Sequence, residues 1–568
     1  MISTCGIGRG ILVASTVADN RRVTIRFRGP ALIPLLIAVA GAGIVIYQWS
    51  GARPLWLDEE MIALNFRDRS FSALGGRLWL DQSAPLGWLA LQRLVLLVFG
   101  SSELVLRAVP ALFGVATVAA ALFVGQRWLT TTGSAVFVLL CSIGEWMSFH
   151  SVELKPYSAD TFWGVALPAL AVAAAAAESS DARRRGVVTW AVAAAIGHWF
   201  ALGGLLVLPA CFIVLAVSES RGGAVMRRLA VAFAVVTASF AVHYLVAIRY
   251  TQSSTSLQNF WQFAMAPPGA GFAGTLEWLY GQLLPIALKP GGTALAASFW
   301  ISVALGVLLA PARLLGAAAG LVVLSAFALG AARIMPLYER LSLWFVPALY
   351  LAIALFADRG AWVLRRKVFQ RSAMNLATAC VIFLMVGTVC VDIVDRGVSD
   401  LRGGRPRDTN HSTDDRTAVT WLMEQRRTGD TIITTRHAQP AIWWYGGVPI
   451  SDGVGRQFPD GGRIFIVDRY TGERGCRGRE LRRAIDRGHR IQVYLGFADT
   501  TPGFDDLLLG ELSKYGTITA VRQFAGNSRA AVIDPNVTAG SGLFWSDAWK
   551  DGKAPLTGCV GVDEGSVW

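Results

Sequence analysis

The chain has 568 residues, of which 54% are hydrophobic and only 16% charged. Soluble domains carry about 25% charged residues, so this composition excludes a purely soluble enzyme, a nucleic-acid module or a disordered chain. The net charge of +13 does not bring nucleic acid back as a partner: six of the 52 basic residues are Lys and the rest Arg, the skew of a GC-rich bacterial genome.

The first thirty residues are a basic segment, with Arg9, Arg21, Arg22, Arg26 and Arg28 ahead of the first apolar run. That places the N-terminus inside. A helix needs about 20 apolar residues to cross the hydrocarbon. Candidate spans lie at 31–49, 104–126, 133–149, 160–177, 229–248, 297–312, 314–332, 338–357 and 373–394. The run 187–217 would measure about 46 Å as one helix, and His198-Trp199 with Gly203-Gly204 divides it in two. Pro85–Phe99 is decided by charge. If it does not cross, Arg127, Arg183 to Arg185, Arg221 with Arg227 and Arg228, Arg313, and the cluster from Arg359 to Arg371 all fall inside. The chain therefore reads as a polytopic α-helical membrane protein with about 11 transmembrane helices in a domain spanning 31–395. Pro85–Phe99 lies in or dips into the outer face. The large or polar outer segments are 50–103, 150–159, 249–296 and everything after Asp395, so the chemistry belongs on the outer face.

Residues 396–568 change in composition. Short β-rich runs occur at Thr431–Thr435, Arg463–Asp468, Arg490–Gly496, Thr517–Gln523 and Arg529–Ile533, with helix-compatible stretches at Thr413–Arg427, Arg477–Arg487 and Asp505–Lys514. The alternation predicts a C-terminal extracytoplasmic α/β domain with a partly parallel sheet, joined through a linker at Arg396–Asp415. Of the seven cysteines, Cys476 and Cys559 lie in this polar region, where an oxidising compartment would let them form a disulfide.

Three groups of ionisable residues fall on the outer face. Asp58, Glu59 and Glu60 follow closely on the first span. A carboxylate held between lipid and water can act as a base, although acids also favour the first turn of any helix. His150-Ser151-Val152-Glu153-Leu154-Lys155-Pro156-Tyr157 joins two spans. Lys155 can hold a phosphate as a point charge, or snorkel while Glu153 pairs with it. Glu339 and Arg340 stand at the margin of the span 338–357, where an ionisable residue is a functional candidate or an ion pair anchoring the helix end.

In this order the groups resemble the GT-C fold glycosyltransferases that depend on polyprenyl-phosphate sugars. The likeness is to the bacterial branch related to protein O-mannosyltransferases and lipid A aminoarabinose transferases. It rests on Asp58-Glu59, on Gly100-Ser101-Ser102-Glu103 with Arg107-Ala108-Val109-Pro110-Ala111-Leu112, on Glu153-Leu154-Lys155-Pro156-Tyr157, and on Arg340 with Pro347. The resemblance implies transfer of a sugar from a polyprenyl-phosphate donor to an envelope glycan, glycolipid or protein, by inverting single displacement on the outer face of a bacterial plasma membrane. Asp58 would be the general base, and Glu59 would orient it or bind acceptor. Lys155 and Arg340 would bind the donor phosphate. Glu60, Gln82, His150, Glu153, Tyr157 and Glu339 would be further substrate contacts. The aromatic loop 249–296 would close over the carrier. No cofactor or metal is required, although Asp58, Glu59, Glu60 and Asp160 can in principle hold a hard cation. The alternatives are a transporter or flippase of lipid-linked glycans, and an assembly scaffold acting through residues 400–568. Removing those residues should leave transfer at least partly intact if the protein is a transferase.

Overall fold

A computed structural model describes residues 31–218, 223–365, 373–403, 413–455, 457–470, 489–496, 504–513, 516–536 and 559–563. The N-terminal segment, the stretch Arg477–Arg487 and Cys476 lie outside the described residues, and the disulfide with Cys559 therefore lies outside them too.

The membrane region is an all-helical bundle. Seven of its helices are long and apolar enough to cross a bilayer: Leu32–Ser50, Ala108–Trp128, Tyr157–Ala175, Met226–Gln252, Arg313–Ala331, Val346–Arg365 and Ala373–Arg402. Shorter apolar helices lie at Thr131–Ile143, Gly203–Val217 and Ala296–Leu308. The apolar run 187–217 is divided as its glycines predict, into Ser180–Gly197 and Leu208–Ser218.

Val346–Arg365 is the central helix. Its apolar window is 83% buried, against 22% for Leu32–Ser50 and 17% for Met226–Gln252. Small residues allow close crossings. At Gly306 of Ala296–Leu308, a Cβ would sit 1.8 Å from the Ala352 carbonyl oxygen of the central helix.

Two predicted boundaries move. The span expected at 338–357 begins as a helix only at Val346 and runs to Arg365, because 339–342 forms a 3-10 turn and Pro347 suits a helix's first turn. The expected linker begins later than Arg396. The last long helix continues to Gly403, since leaving the bundle ends apolarity, not helicity. An Arg396–Asp392 pair one turn apart supports the extension, at 3.3 Å.

Leu86–Phe99 forms a 14-residue amphipathic helix, burying Trp88, Leu89 and Gln92 and exposing Leu94, Leu97, Val98 and Phe99. Its first turn is tied to the break in the 187–217 run, where Trp88 N–H donates to the Trp199 carbonyl at 3.0 Å, and to the helix Gly223–His243, where Leu86 N–H donates to His243 Nε2 at 3.4 Å.

The C-terminal region contains a six-stranded sheet in the order β4-β5-β3-β1-β2-β6, with β1 Thr431–Thr434, β2 Ile464–Tyr470, β3 Ile491–Leu495, β4 Gly516–Gln523, β5 Arg529–Pro535 and β6 Cys559–Asp563. The central β1 pairs in parallel with β2 and β3, and the flanking pairs are antiparallel. This is the partly parallel sheet that the alternating pattern predicts. Helices Asp415–Gln425 and Phe504–Leu512 stand where expected, and Gln439–Tyr445 is an additional helix.

This domain does not hang free on a tether. One continuous apolar core joins Leu55, Trp56, Met61, Ile62, Phe66, Leu80 and Trp88 of the segment 50–103 to Ala418, Leu422, Ile442, Trp443 and Tyr494 of the sheet domain. Polar contacts reinforce it. Arg67 donates to the carbonyls of Trp443 at 2.8 Å and Val448 at 2.6 Å, and Asp68 accepts from Ile450 N–H at 3.0 Å.

Candidate active site

Three loops at one end of the bundle meet around the helix Leu57–Asp68. Trp56 is its N-cap residue, and the acids occupy the first turn, where the positive end of the helix dipole favours them. The acids face three different ways. Asp58 points into the meeting point of the loops, and its Oδ2 accepts from Arg340 Nη2 at 2.7 Å. Both side chains keep about a fifth of their surface exposed, 20% and 21%, so the pair borders solvent without lying in it.

Glu59 turns inward and is fully buried. Its carboxylate accepts from Arg107 Nε at 2.8 Å and from Arg107 Nη2, from Leu154 N–H at 2.6 Å and from Trp56 N–H at 3.3 Å. The last contact is the reach-back half of a capping box. Burial works against the charge of Glu59, but Arg107 and Arg53 outweigh it and hold the carboxyl below its usual range. A residue with no exposed surface cannot meet an acceptor, so the expected acceptor contact at Glu59 is corrected. Glu59 is a junction that fixes Asp58 beside the loop carrying Lys155.

Lys155 is buried, and its Nζ donates to Gln82 Oε1 at 2.5 Å. Burial pushes its pKa below the usual lysine value, with nearby Asp58 pulling upward and Arg340 downward. Glu153 contacts His150 Nδ1 and accepts from Trp56 Nε1 at 3.0 Å. The Arg340 guanidinium lies over the Trp56 ring, 5.5 Å from its centroid. His150 in turn packs edge-on against Tyr157, at 5.2 Å between centroids. Burial opposes the charge on Arg340, but the field of Tyr157, Asp58, Glu153 and Glu339 holds its pKa above the ordinary range. Arg340 Nε is buried with no hydrogen-bond partner among the described residues.

The structure thus gathers Asp58, Lys155, Arg340, Gln82, Glu153, His150 and Tyr157. It sends two predicted residues elsewhere. Glu60 is fully buried against Asp415 of the sheet domain, which removes it from substrate. Glu339 turns to Lys289, at 3.3 Å on the exposed margin. Asp160 accepts from Gly203 N–H at 2.7 Å, so the four acids weighed as a cation site have separate partners.

Strained backbone sits beside the cluster. Leu80 and Asp81 both adopt left-handed φ, 61° and 48°, directly before Gln82, and Glu339 has φ 31° directly before Arg340. Non-glycine residues in this region cost roughly 1–3 kcal/mol each and persist where surroundings over-determine them. Here Asp81 is held by Ser256 Oγ, donating at 2.6 Å, and by Arg77 Nη2 at 3.4 Å. The aromatic loop is anchored on the other side, with Phe263 edge-on to Tyr338 at 5.0 Å and Leu337 N–H donating to the Ala264 carbonyl at 3.0 Å.

Sequence reasoning assigned no role to Arg107, Trp56 or Lys289. Arg107 carried a signal, as an arginine at the start of an apolar run. The interdomain residues Asp415 and Tyr445 carried none.

No family model and no curated protein sequence matches the chain. Among solved structures, ArnT from Cupriavidus metallidurans bound to undecaprenyl phosphate aligns over 90% of this chain and 99% of its own, with TM-score 0.50 and 11% identity. The mycobacterial arabinofuranosyltransferase AftD aligns over 91% of this chain and 41% of its own, with TM-score 0.46 and 12% identity. An Archaeoglobus fulgidus oligosaccharyltransferase aligns over 74% and 59%, with TM-score 0.42 and 13% identity. The likeness to ArnT establishes the fold, a GT-C membrane bundle with a C-terminal domain.

Proposed function

We propose that this GT-C chain is a membrane glycosyltransferase, moving a sugar from a polyprenyl-phosphate donor to a hydroxyl of an envelope acceptor on the extracytoplasmic side of a bacterial plasma membrane. The observation that carries the reading is the convergence of one carboxylate, Asp58, with two cations, Lys155 and Arg340, from loops about 100 and 280 residues away respectively.

The chemistry then runs as one displacement. The acceptor oxygen attacks the anomeric carbon as Asp58 takes its proton. The bond from that carbon to the phosphate oxygen breaks, and its electron pair leaves on polyprenyl phosphate. Charge grows on that oxygen, and fixed cations stabilise it most at the transition state. Arg340 serves both partners: Nη2 orients Asp58, and the guanidinium charge acts on the phosphate. Lys155 supplies the second charge, held in place by Gln82. Glu153 and His150 position Trp56, whose ring supports Arg340. The scheme calls for no cofactor.

The test is donor consumption in lipid nanodiscs with a panel of polyprenyl-phosphate sugars and envelope extracts as acceptors. Release of polyprenyl phosphate by the wild type, lost in Asp58→Asn with donor binding retained, is the expected result. No turnover of any donor, or full turnover by Asp58→Asn, overturns the proposal.

A further inference from the structure

The residue next to Glu59 raises a separate question. Glu60 is fully buried, and neither carboxyl oxygen receives a hydrogen bond from an N–H or O–H group among the described residues. What it meets is another carboxyl, Asp415 of the sheet domain, itself 4% exposed. Asp415 Oδ1 accepts from the Tyr494 hydroxyl, and Oδ2 from Thr413 Oγ1 at 3.5 Å. The nearby cations are committed elsewhere. Arg107 and Arg53 lie toward Glu59, and Arg416 bonds Glu103 Oε2 at 3.2 Å and the Ala52 carbonyl at 3.2 Å. The other ionisable neighbours are Glu59, Glu103 and Tyr445 on the loop side, with Asp414 and Tyr494 on the domain side.

Two neighbouring carboxylates, shut away from water and with no cation paired to them among the described residues, cannot both be ionised. We propose that Glu60 and Asp415 share one proton, and that this hydrogen bond latches the sheet domain onto the helix bearing Asp58. Tyr445 completes the latch. Its hydroxyl accepts from Leu55 N–H at 2.7 Å and donates to Glu103 Oε1 at 3.1 Å. The sheet domain thereby holds the chain on both flanks of Asp58, three residues before it and two after. Glu60 and Asp415 are positioning residues.

The sign of the pH dependence follows. Burial first, and then the neighbouring carboxyl, push Glu60 up; burial pushes Asp415 up to about 6. A raised value means the stabilisation is complete below the ordinary carboxyl pKa and is lost as pH rises through the folded one. The latch loosens toward alkaline pH.

The latch stands on the burial of both carboxyls and on the hydrogen bonds of Tyr445 and Tyr494 around them; its effect on transfer rests on the glycosyltransferase reading. Hydrogen exchange of the full-length protein in nanodiscs, corrected for intrinsic rates, tests the first without needing activity. Protection of 57–68 and 415–425 should fall by up to about tenfold per pH unit once the shared proton titrates. In Asp415→Asn the amide donates permanently to Glu60 and still accepts from Tyr494, so protection should become independent of pH. If that variant does not fold, Glu60→Gln makes the same substitution from the other side. Wild-type protection that ignores pH, or an amide variant with the wild-type pH response, overturns the latch. In the transfer assay, the amide variant should lose the alkaline limb of kcat with donor KM unchanged. The expected exchange pattern without turnover in any variant would leave the latch intact and count against the transferase.

Discussion

Arg107→Met removes the partner on which the site's geometry depends. Arg107 is 1% exposed and Glu59 0%. The guanidinium bonds both oxygens of that carboxylate and the carbonyls of Arg53 and Pro54. Removing one member of such a pair strands a buried charge, at a cost of about 3–5 kcal/mol. An apolar replacement of both members is often nearly neutral, so Glu59→Leu with Arg107→Met should unfold less readily than either single variant. Reversible unfolding in mixed micelles, followed by tryptophan fluorescence, measures the cycle, and a coupling of roughly 0.5–3 kcal/mol is expected for residues in contact. Transfer should behave differently. The double variant still lacks the carboxylate that ties Trp56 to Leu154, and a misplacement of about 1 Å costs on the order of 100-fold in rate. Recovered stability with transfer still depressed is the expected signature. Strict additivity, or a single variant as stable as wild type, would refute the assignment of Glu59 as the junction.

Asp58→Asn should reduce kcat by about 100-fold to 10,000-fold, the range of a lost general base, with donor binding measured by native mass spectrometry unchanged. Lys155→Ala and Arg340→Ala should raise donor KM more than they lower kcat; unchanged KM in both would contradict the phosphate assignment. Because burial holds Lys155 below the usual lysine pKa, donor affinity should fall as pH rises through that lowered value. Lys155→Arg should move the fall to higher pH, as isothermal titration would show. Truncation before Thr413 should abolish transfer rather than spare it, since the loop helix would lose the core it shares with the sheet domain; robust activity of the truncated protein would count against that coupling.

The apolar helices and the sheet were legible because each rests on local periodicity and composition, although among the described residues seven helices, not about 11, are long and apolar enough to cross a membrane. The β-rich segments from Thr431 to Ile533 all became strands. Boundaries were less legible at Val346 and Gly403, where the helix and the apolar run do not coincide. Asp58 was readable as an acid just after a span, and Lys155 as a rare lysine on a loop. What divides Asp58 from Glu59 and Glu60 is which way each faces, and helix rotation depends on partners far along the chain. Arg107 lies 48 residues from Glu59, and Tyr445 lies 390 from Leu55. No pattern within a short window reports such pairings.

The shared core between the segment 50–103 and the sheet domain limits how this protein can be rebuilt. Substrate range in a bundle of this kind would ordinarily be re-engineered by grafting one loop onto a foreign scaffold. Here the graft would carry Leu55, Ile62 and Phe66 away from Ile442 and Trp443 and leave a greasy surface on both pieces. A workable chimaera must exchange the two segments as a matched set, with the bundle helices left as host.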